Sequence, residues 1–268
     1  MRNILNITQQ ENLKWLRGQE DAQYHLIYID PPFNTGKRRN LHAGAFDDRF
    51  GNYMEFIKAR LREVYRVLRP DGTLCVHLDW REVHYVKVFL DELFGRECFL
   101  NEIVWAYDYG GRSKKKWSSK HDTILIYVKD PKNYAFNFDA MDRIPYMAPG
   151  LVGPEKAARG KTPNDCWWHT IVPTQGSERT GYPTQKPLGI LERIVKVHSN
   201  PDDNLLDFFA GSGSFGEAAL RNQRNVDLVD NNKEACEIAW KRLSPRVEHS
   251  MDAGCSALWV GPEDGERP

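Results

Sequence analysis

The sequence has no excess of either charge. Lysine plus arginine and aspartate plus glutamate stand at 37 each, so the formal net charge is zero. Bulk attraction to a polyanion is therefore excluded, and a nucleic-acid partner would have to be met by local clusters. No apolar run approaches membrane-spanning length and no signal-peptide pattern opens the chain, which predicts a cytoplasmic protein without a membrane partner. The five cysteines, Cys75, Cys98, Cys166, Cys236 and Cys255, are scattered and odd in number. None has metal-ligand or redox spacing, so a disulfide framework is excluded and a reducing compartment fits. No internal repeat is present. What the chain does have is core material: 268 residues, 41% hydrophobic and 12% aromatic, enough for one large domain.

The most informative stretch is Asp30-Pro31-Pro32-Phe33, which closes the apolar run Leu26-Ile27-Tyr28-Ile29. The run reads as a short buried strand. Two prolines lack N–H donors and fix φ, so the chain must leave the sheet in a stiff, extended turn. That leaves the Asp30 carboxylate and the Pro31 carbonyl as acceptors on one cleft, with Phe33 as a flat wall. Two acceptors and a ring suit a planar group with an exocyclic amine, such as adenine.

The periodicities place this corner in an α/β chain. Strands are expected at residues 3–8, 26–30, 73–78, 103–109, 123–128, 205–209 and 226–229. Helices are expected around Trp15 and over 53–68, 80–94, 188–198, 215–220 and 233–243. Between Phe33 and about Asp48 the spacing predicts a polar, basic loop, and Pro70-Asp71-Gly72 predicts a turn. Residues 131–181, rich in Pro, Gly and aromatics, read as irregular and belong to a wider insertion over about 108–181 within a single domain spanning 1–249. The 250–268 tail reads as loosely packed or mobile.

A second signal is Asp207-Phe208-Phe209-Ala210-Gly211-Ser212-Gly213, followed one strand later by Asp230. A strand, a glycine turn and a helix, then a strand ending in an acid, is how a nucleoside-binding α/β half is built. The glycines let the backbone approach the ligand, and the acid can accept from ribose hydroxyls. A third signal, Tyr182-Pro183-Thr184-Gln185-Lys186-Pro187, precedes a helix, and Thr184 and Lys186 could hold a carboxylate-bearing ligand.

Together these stretches resemble the amino-group DNA methyltransferases that use S-adenosylmethionine, in the β arrangement. There an Asp-Pro-Pro-Phe/Tyr motif precedes the target-recognition region and a Phe-x-Gly-x-Gly motif comes last. The resemblance covers about residues 12–243, including His77-Leu78-Asp79-Trp80-Arg81-Glu82, Asn101-Glu102-Ile103-Val104-Trp105 and His121-Asp122-Thr123-Ile124-Leu125. It implies a Rossmann-like, seven-stranded, mostly parallel sheet with one reversed strand, circularly permuted, with the insertion serving target recognition. It also implies catalysis by Asp30, Pro31, Pro32 and Phe33. Glu11, Asp30, Thr184, Lys186, Pro187, Phe209, Gly211, Ser212, Gly213 and Asp230 would contact S-adenosyl-L-methionine. Aspartate first in the tetrapeptide favours adenine N6, with the target base flipped out of duplex DNA. The chain departs from the family at Gln10-Glu11, where Gly-Asp is common, and at Ser214-Phe215, where Thr-Thr is common.

Two basic clusters, Lys37-Arg38-Arg39 and Arg112 with Lys114-Lys115-Lys116, are the candidate DNA contacts. Their bland reading is solvated surface. Trp117, Trp167 and Trp168 are expected in the core, and His77 and His121 are expected to be satisfied structural histidines. The resemblance also implies a possible homodimer and a possible cognate restriction endonuclease. The rival readings are cytosine-N4 methylation, RNA methylation, and a catalytically silent DNA-binding subunit.

Overall fold

A computed structural model describes residues 4–41, 44–173, 175–176, 178–248 and 255–261, with the side chains of 38–47 and 248 outside the description. The first half contains β1 (Ile4–Gln9), α1 (Asn12–Arg17), β2 (Tyr24–Ile29), β3 (Lys37–Leu41), β4 (Gly44–Asp48), α2 (Tyr53–Val67), β5 (Leu68–Leu78) and α3 (Val83–Phe94). It continues through β6 (Phe99–Ala106), β7 (His121–Val128), α4 (Pro154–Arg159) and β8 (Cys166–Trp168). The last part is α5 (Leu188–His198), β9 (Asn204–Asp207), α6 (Ser214–Arg221), β10 (Asn225–Asp230), α7 (Lys233–Glu248) and β11 (Ser256–Val260).

Nine strands form one sheet in the order β11-β1-β10-β9-β2-β5-β7-β6-β8. All neighbours pair in parallel except around β7, which runs against both β5 and β6. The seven inner strands are the expected sheet with its one reversed member. The two additional strands, β11 and β8, sit at the edges.

The helices form a layer on each face. Along β2, Leu26 and Tyr28 join the cluster that packs on α5, α6 and α7, while Ile27 and Ile29 join the cluster on α1, α2 and α3. A central strand buried on both sides shows apolar residues without a gap, which is why its sequence reads as a continuous run.

Chain direction across the sheet reverses between two neighbours. From β2 the chain crosses to β5 on one side, and from β9 it crosses to β10 on the other. The carboxyl ends of β2 and β9 therefore flank a crevice, the place where open α/β sheets bind ligands.

Three expectations are corrected. The basic loop after Phe33 is an antiparallel hairpin, β3 with β4, paired from Lys37 opposite Asp48 to Leu41 opposite Gly44. The turn at Pro70-Asp71-Gly72 lies inside β5, whose register against β2 shifts between Tyr24 and Leu26. Within the tail, Ser256–Val260 is not loose: it adds to β1 as β11, and Trp259 packs edge-on against Trp240 at 6.0 Å. Cys255, Ala257 and Trp259 alternate toward the core, a strand period too short to stand out in an otherwise polar end. Among the described residues no helix is long and apolar enough to cross a membrane.

Candidate active site

The crevice at the reversal point holds a cavity of about 450 Å³. Its walls come from the turn after β2, the glycine turn after β9, the end of β10, α2 and the 182–186 segment. Of the residues expected in catalysis or cofactor contact, Glu11, Asp30, Pro31, Pro32, Phe33, Thr184, Lys186, Phe209, Gly211, Ser212 and Asp230 line it. Pro187 and Gly213 do not. Pro187 precedes the first turn of α5, and Gly213 packs against α7.

Asp30 is the best-defined member. Its Oδ2 forms an ion pair with Lys186 Nζ, whereas its Oδ1 is buried and has no hydrogen-bond partner among the described residues. Lys186 Nζ also lies 5.1 Å from the centre of the Phe33 ring. The turn is stapled from behind by Asp48, whose oxygens accept from Asn34 N at 2.8 Å, Thr35 N at 3.0 Å and the Thr35 hydroxyl. Asp48 is only 2% exposed, so the hairpin that carries it fixes the far end of the tetrapeptide.

Below Phe33 runs a buried polar chain. Tyr28 Oη and His77 Nδ1 are 2.7 Å apart, His77 Nε2 and Asp122 Oδ2 are 3.2 Å apart, and Tyr107 donates to Asp122 Oδ1 at 2.9 Å. Tyr28 stacks on Phe215 at 5.1 Å, and burial with the nearby Asp30 pushes its phenol well above the ordinary range. Burial alone would raise the Asp122 carboxyl. Hydrogen bonding and charge from His77, then Lys186 and Tyr107, bring it below the ordinary value. His77 is thus a satisfied structural histidine whose ring lies 6.0 Å from that of Phe33.

The glycine turn shows why small residues stand there. Gly211 has φ +48°, and a Cβ on it would come within 3.1 Å of the Tyr182 ring. Gly213 has φ +72°, and a Cβ there would stand 3.0 Å from both Ala239 Cβ and Leu243 Cδ1. Asp230 closes the turn: its two oxygens accept from Gly211 N and Asn232 N, each at 2.9 Å. Burial raises its carboxyl, which these backbone N–H groups partly offset. Asp207 accepts from Phe209 N at 2.9 Å, and burial, with Asp30 and Asp230 nearby, holds its carboxyl well above the ordinary range.

Glu11 braces the site as well as lining it. Its carboxylate caps α1 through Leu13 N and Lys14 N and receives Arg60 Nη2 at 2.6 Å. Arg60 in turn lies 3.7 Å over the Phe56 ring. Asp48, Arg60, Phe56, Tyr182 and Asp207 are lining residues that sequence reasoning did not select. Asp207 opens the glycine motif and could have been found there. Tyr182 likewise opens the motif of Thr184 and Lys186, whereas Asp48, Arg60 and Phe56 reach the cavity only through tertiary packing.

The basic clusters separate. Lys37 is exposed on β3, and the side chains of Arg38 and Arg39 lie outside the described residues. Arg112 pairs with Asp108 at 2.6 Å, while Lys116 Nζ lies 5.2 Å from the Trp80 ring centre and Lys114 and Lys115 are exposed. The expectation of three core tryptophans holds for Trp167 alone. Trp117 is 98% exposed and Trp168 80% exposed. On the edge strand β8 the side chains alternate, so only the middle one turns inward, and Trp117 sits at a loop tip.

A mostly parallel sheet with one reversed strand, an acid-proline corner and a glycine turn at its reversal point make a nucleoside-binding α/β crevice, arranged as in the methyltransferases that the motifs resemble. The comparisons with known proteins agree. A family model described as DNA methylase matches residues 24–241. The chain is 34% identical over 233 residues to the Type II methyltransferase M.HpaI of Haemophilus parainfluenzae, covering 86% of this chain and 71% of that protein. It is 29% identical over 240 residues to the DNA adenine methyltransferase YhdJ of Escherichia coli K12, covering 85% and 78%. Among solved structures, the M1.HpyAVI–SAM complex shares the fold with a TM-score of 0.60 at 23% identity, over 90% of this chain and 100% of that one. The chain belongs to the DNA methylase family.

Proposed function

We propose that the protein transfers a methyl group from S-adenosyl-L-methionine to adenine N6 in double-stranded DNA. The observation that carries the reading is the Asp30 carboxylate, whose buried Oδ1 has no donor among the described residues and lies at a cavity wall shared with Phe33. A buried acceptor without a partner is costly, and an incoming exocyclic amine supplies the missing donor.

The cavity fits the cofactor by two further observations. The backbone at Gly211 is open where a side chain would collide with Tyr182, and two acids end the adjacent strands β9 and β10. Phe209, Gly211, Ser212 and Asp230 would hold the nucleoside, with Glu11 acting through Arg60, and Thr184 and Lys186 would meet the carboxylate. When bound, this cofactor supplies a methyl group already activated on a sulfonium.

What the chain's residues contribute is orientation. An aromatic amine is a weak nucleophile because its lone pair is delocalised into the ring. Asp30 Oδ1, accepting one amine N–H, localises that lone pair and fixes its direction. Phe33 replaces part of the stacking that the base loses when it leaves the duplex. Lys37, Arg38, Arg39, Arg112, Lys114, Lys115 and Lys116 would meet phosphates. A homodimer and a cognate restriction endonuclease are further proposals of the reading, tested by light scattering and by protection of modified DNA from cleavage.

The experiment is to incubate the protein with cofactor and unmethylated DNA, digest to nucleosides and quantify methylated bases by mass spectrometry. N6-methyladenine that vanishes in Asp30→Ala is the expected result. N4-methylcytosine would overturn the base assignment. No product from folded protein would overturn the reading itself.

A further inference from the structure

Lys186 stands where two different partners need it. Its ammonium pairs with Asp30 Oδ2, with the two side chains only 11% and 17% exposed, and it lies over Phe33 at 5.1 Å. In this arrangement one oxygen of Asp30 is occupied, and so is the aromatic face on which a flipped base must stack. Lys186 also lines the cofactor cavity, next to Thr184 and Tyr182. Tyr182 forms the wall against Gly211, so a ligand seated on the glycine turn meets the same segment. An ammonium shared between two carboxylates gives each a weaker pairing than it gives one alone, so a second carboxylate in reach draws Lys186 away from Asp30.

We propose that Lys186 is a positioning residue that latches Asp30 while the cofactor is absent and transfers to the cofactor's carboxylate when it binds. The transfer frees Asp30 Oδ2 and uncovers Phe33, so the target base is accepted only after the cofactor is in place. Gln185 stays fixed, its amide oxygen accepting from Thr180 N at 2.8 Å and its amide nitrogen donating to Glu178 O at 2.6 Å. The flexible stem of Lys186 swings from that fixed point. The proposal rests on the cofactor reading given above and adds a binding order to it.

The test uses calorimetric binding to the full chain without DNA. Two probes are compared: S-adenosylhomocysteine, which has no sulfonium charge, and S-adenosyl-3-thiopropylamine, the same molecule without its carboxylate. Asp30→Asn removes the charge that holds Lys186. Any loss of attraction to the probes' ammonium group affects both equally, so the ratio of affinities isolates the carboxylate. We expect Asp30→Asn to raise the preference for S-adenosylhomocysteine by about tenfold. The added substitution Lys186→Met should abolish that gain. An unchanged ratio in Asp30→Asn, or a gain that survives Lys186→Met, overturns the latch and leaves the cofactor reading standing. Failure of wild-type protein to bind either probe overturns both.

Discussion

Tyr28 and Trp117 mark two opposite ways of holding an aromatic residue in this fold. Tyr28, two residues before Asp30, is 1% exposed, bonded to His77 and stacked on Phe215, so residues from β5 and α6 hold it in place. Trp117 is 98% exposed, and its loop is held by short-range bonds. Ser113 N donates to Ser118 Oγ, Ser113 Oγ accepts from Lys115 N and Lys116 N, and Arg112 pairs with Asp108. The Asp30 corner is over-determined by long-range contacts and can present a carboxylate in one geometry. The 110–118 loop is tied mostly to itself and can adjust to a partner. Orientation of a weak nucleophile needs the first kind of construction, and following a DNA backbone suits the second.

Three variants sharpen or break this contrast. Gly213→Ala forces a Cβ into contact with Ala239 and Leu243 at φ +72°. It should cost about 3 kcal/mol in denaturant unfolding, the sum of backbone strain and overpacking. A loss no larger than that of an exposed substitution would mean the glycine turn is not over-determined. Phe33→Ala should lower kcat/KM about 10- to 100-fold through lost base stacking. An unchanged value would remove Phe33 from the site. Replacing Lys114, Lys115 and Lys116 together by alanine should weaken DNA binding at every sequence. The slope of log affinity against log salt should become shallower by about two to three. The rate at saturating DNA should stay within about twofold. A large drop in that rate would show that the loop belongs to the catalytic corner after all.

The parts of the site legible in the sequence are those with local signals. The run Leu26–Ile29 ends in an acid and two prolines, and Leu205-Leu206 ends in an acid and a glycine turn. In both cases the strand, its end and its cavity-lining residue are adjacent in the chain. Asp48 was not legible, because its role depends on the β3–β4 hairpin folding back onto Asn34 and Thr35. Nor was Arg60, which reaches the cavity by pairing with Glu11 across 49 positions. Edge strands escaped for a different reason. β8 has three residues and β11 five, too few for a period of two to rise above their surroundings. The same shortness misplaced Trp168, because burial on an edge strand depends on which face a neighbour covers.

The central claim is that Asp30 orients the amine from a preformed corner. A single-turnover measurement of methyl transfer tests it most directly, with Asp30→Asn compared to wild type at saturating cofactor and DNA. Asparagine keeps the shape and removes the charge. We expect the transfer step to slow by at least about a thousandfold while DNA and cofactor still bind. A rate within tenfold of wild type would contradict the account and return Asp30 to the role of a proline-stiffened turn.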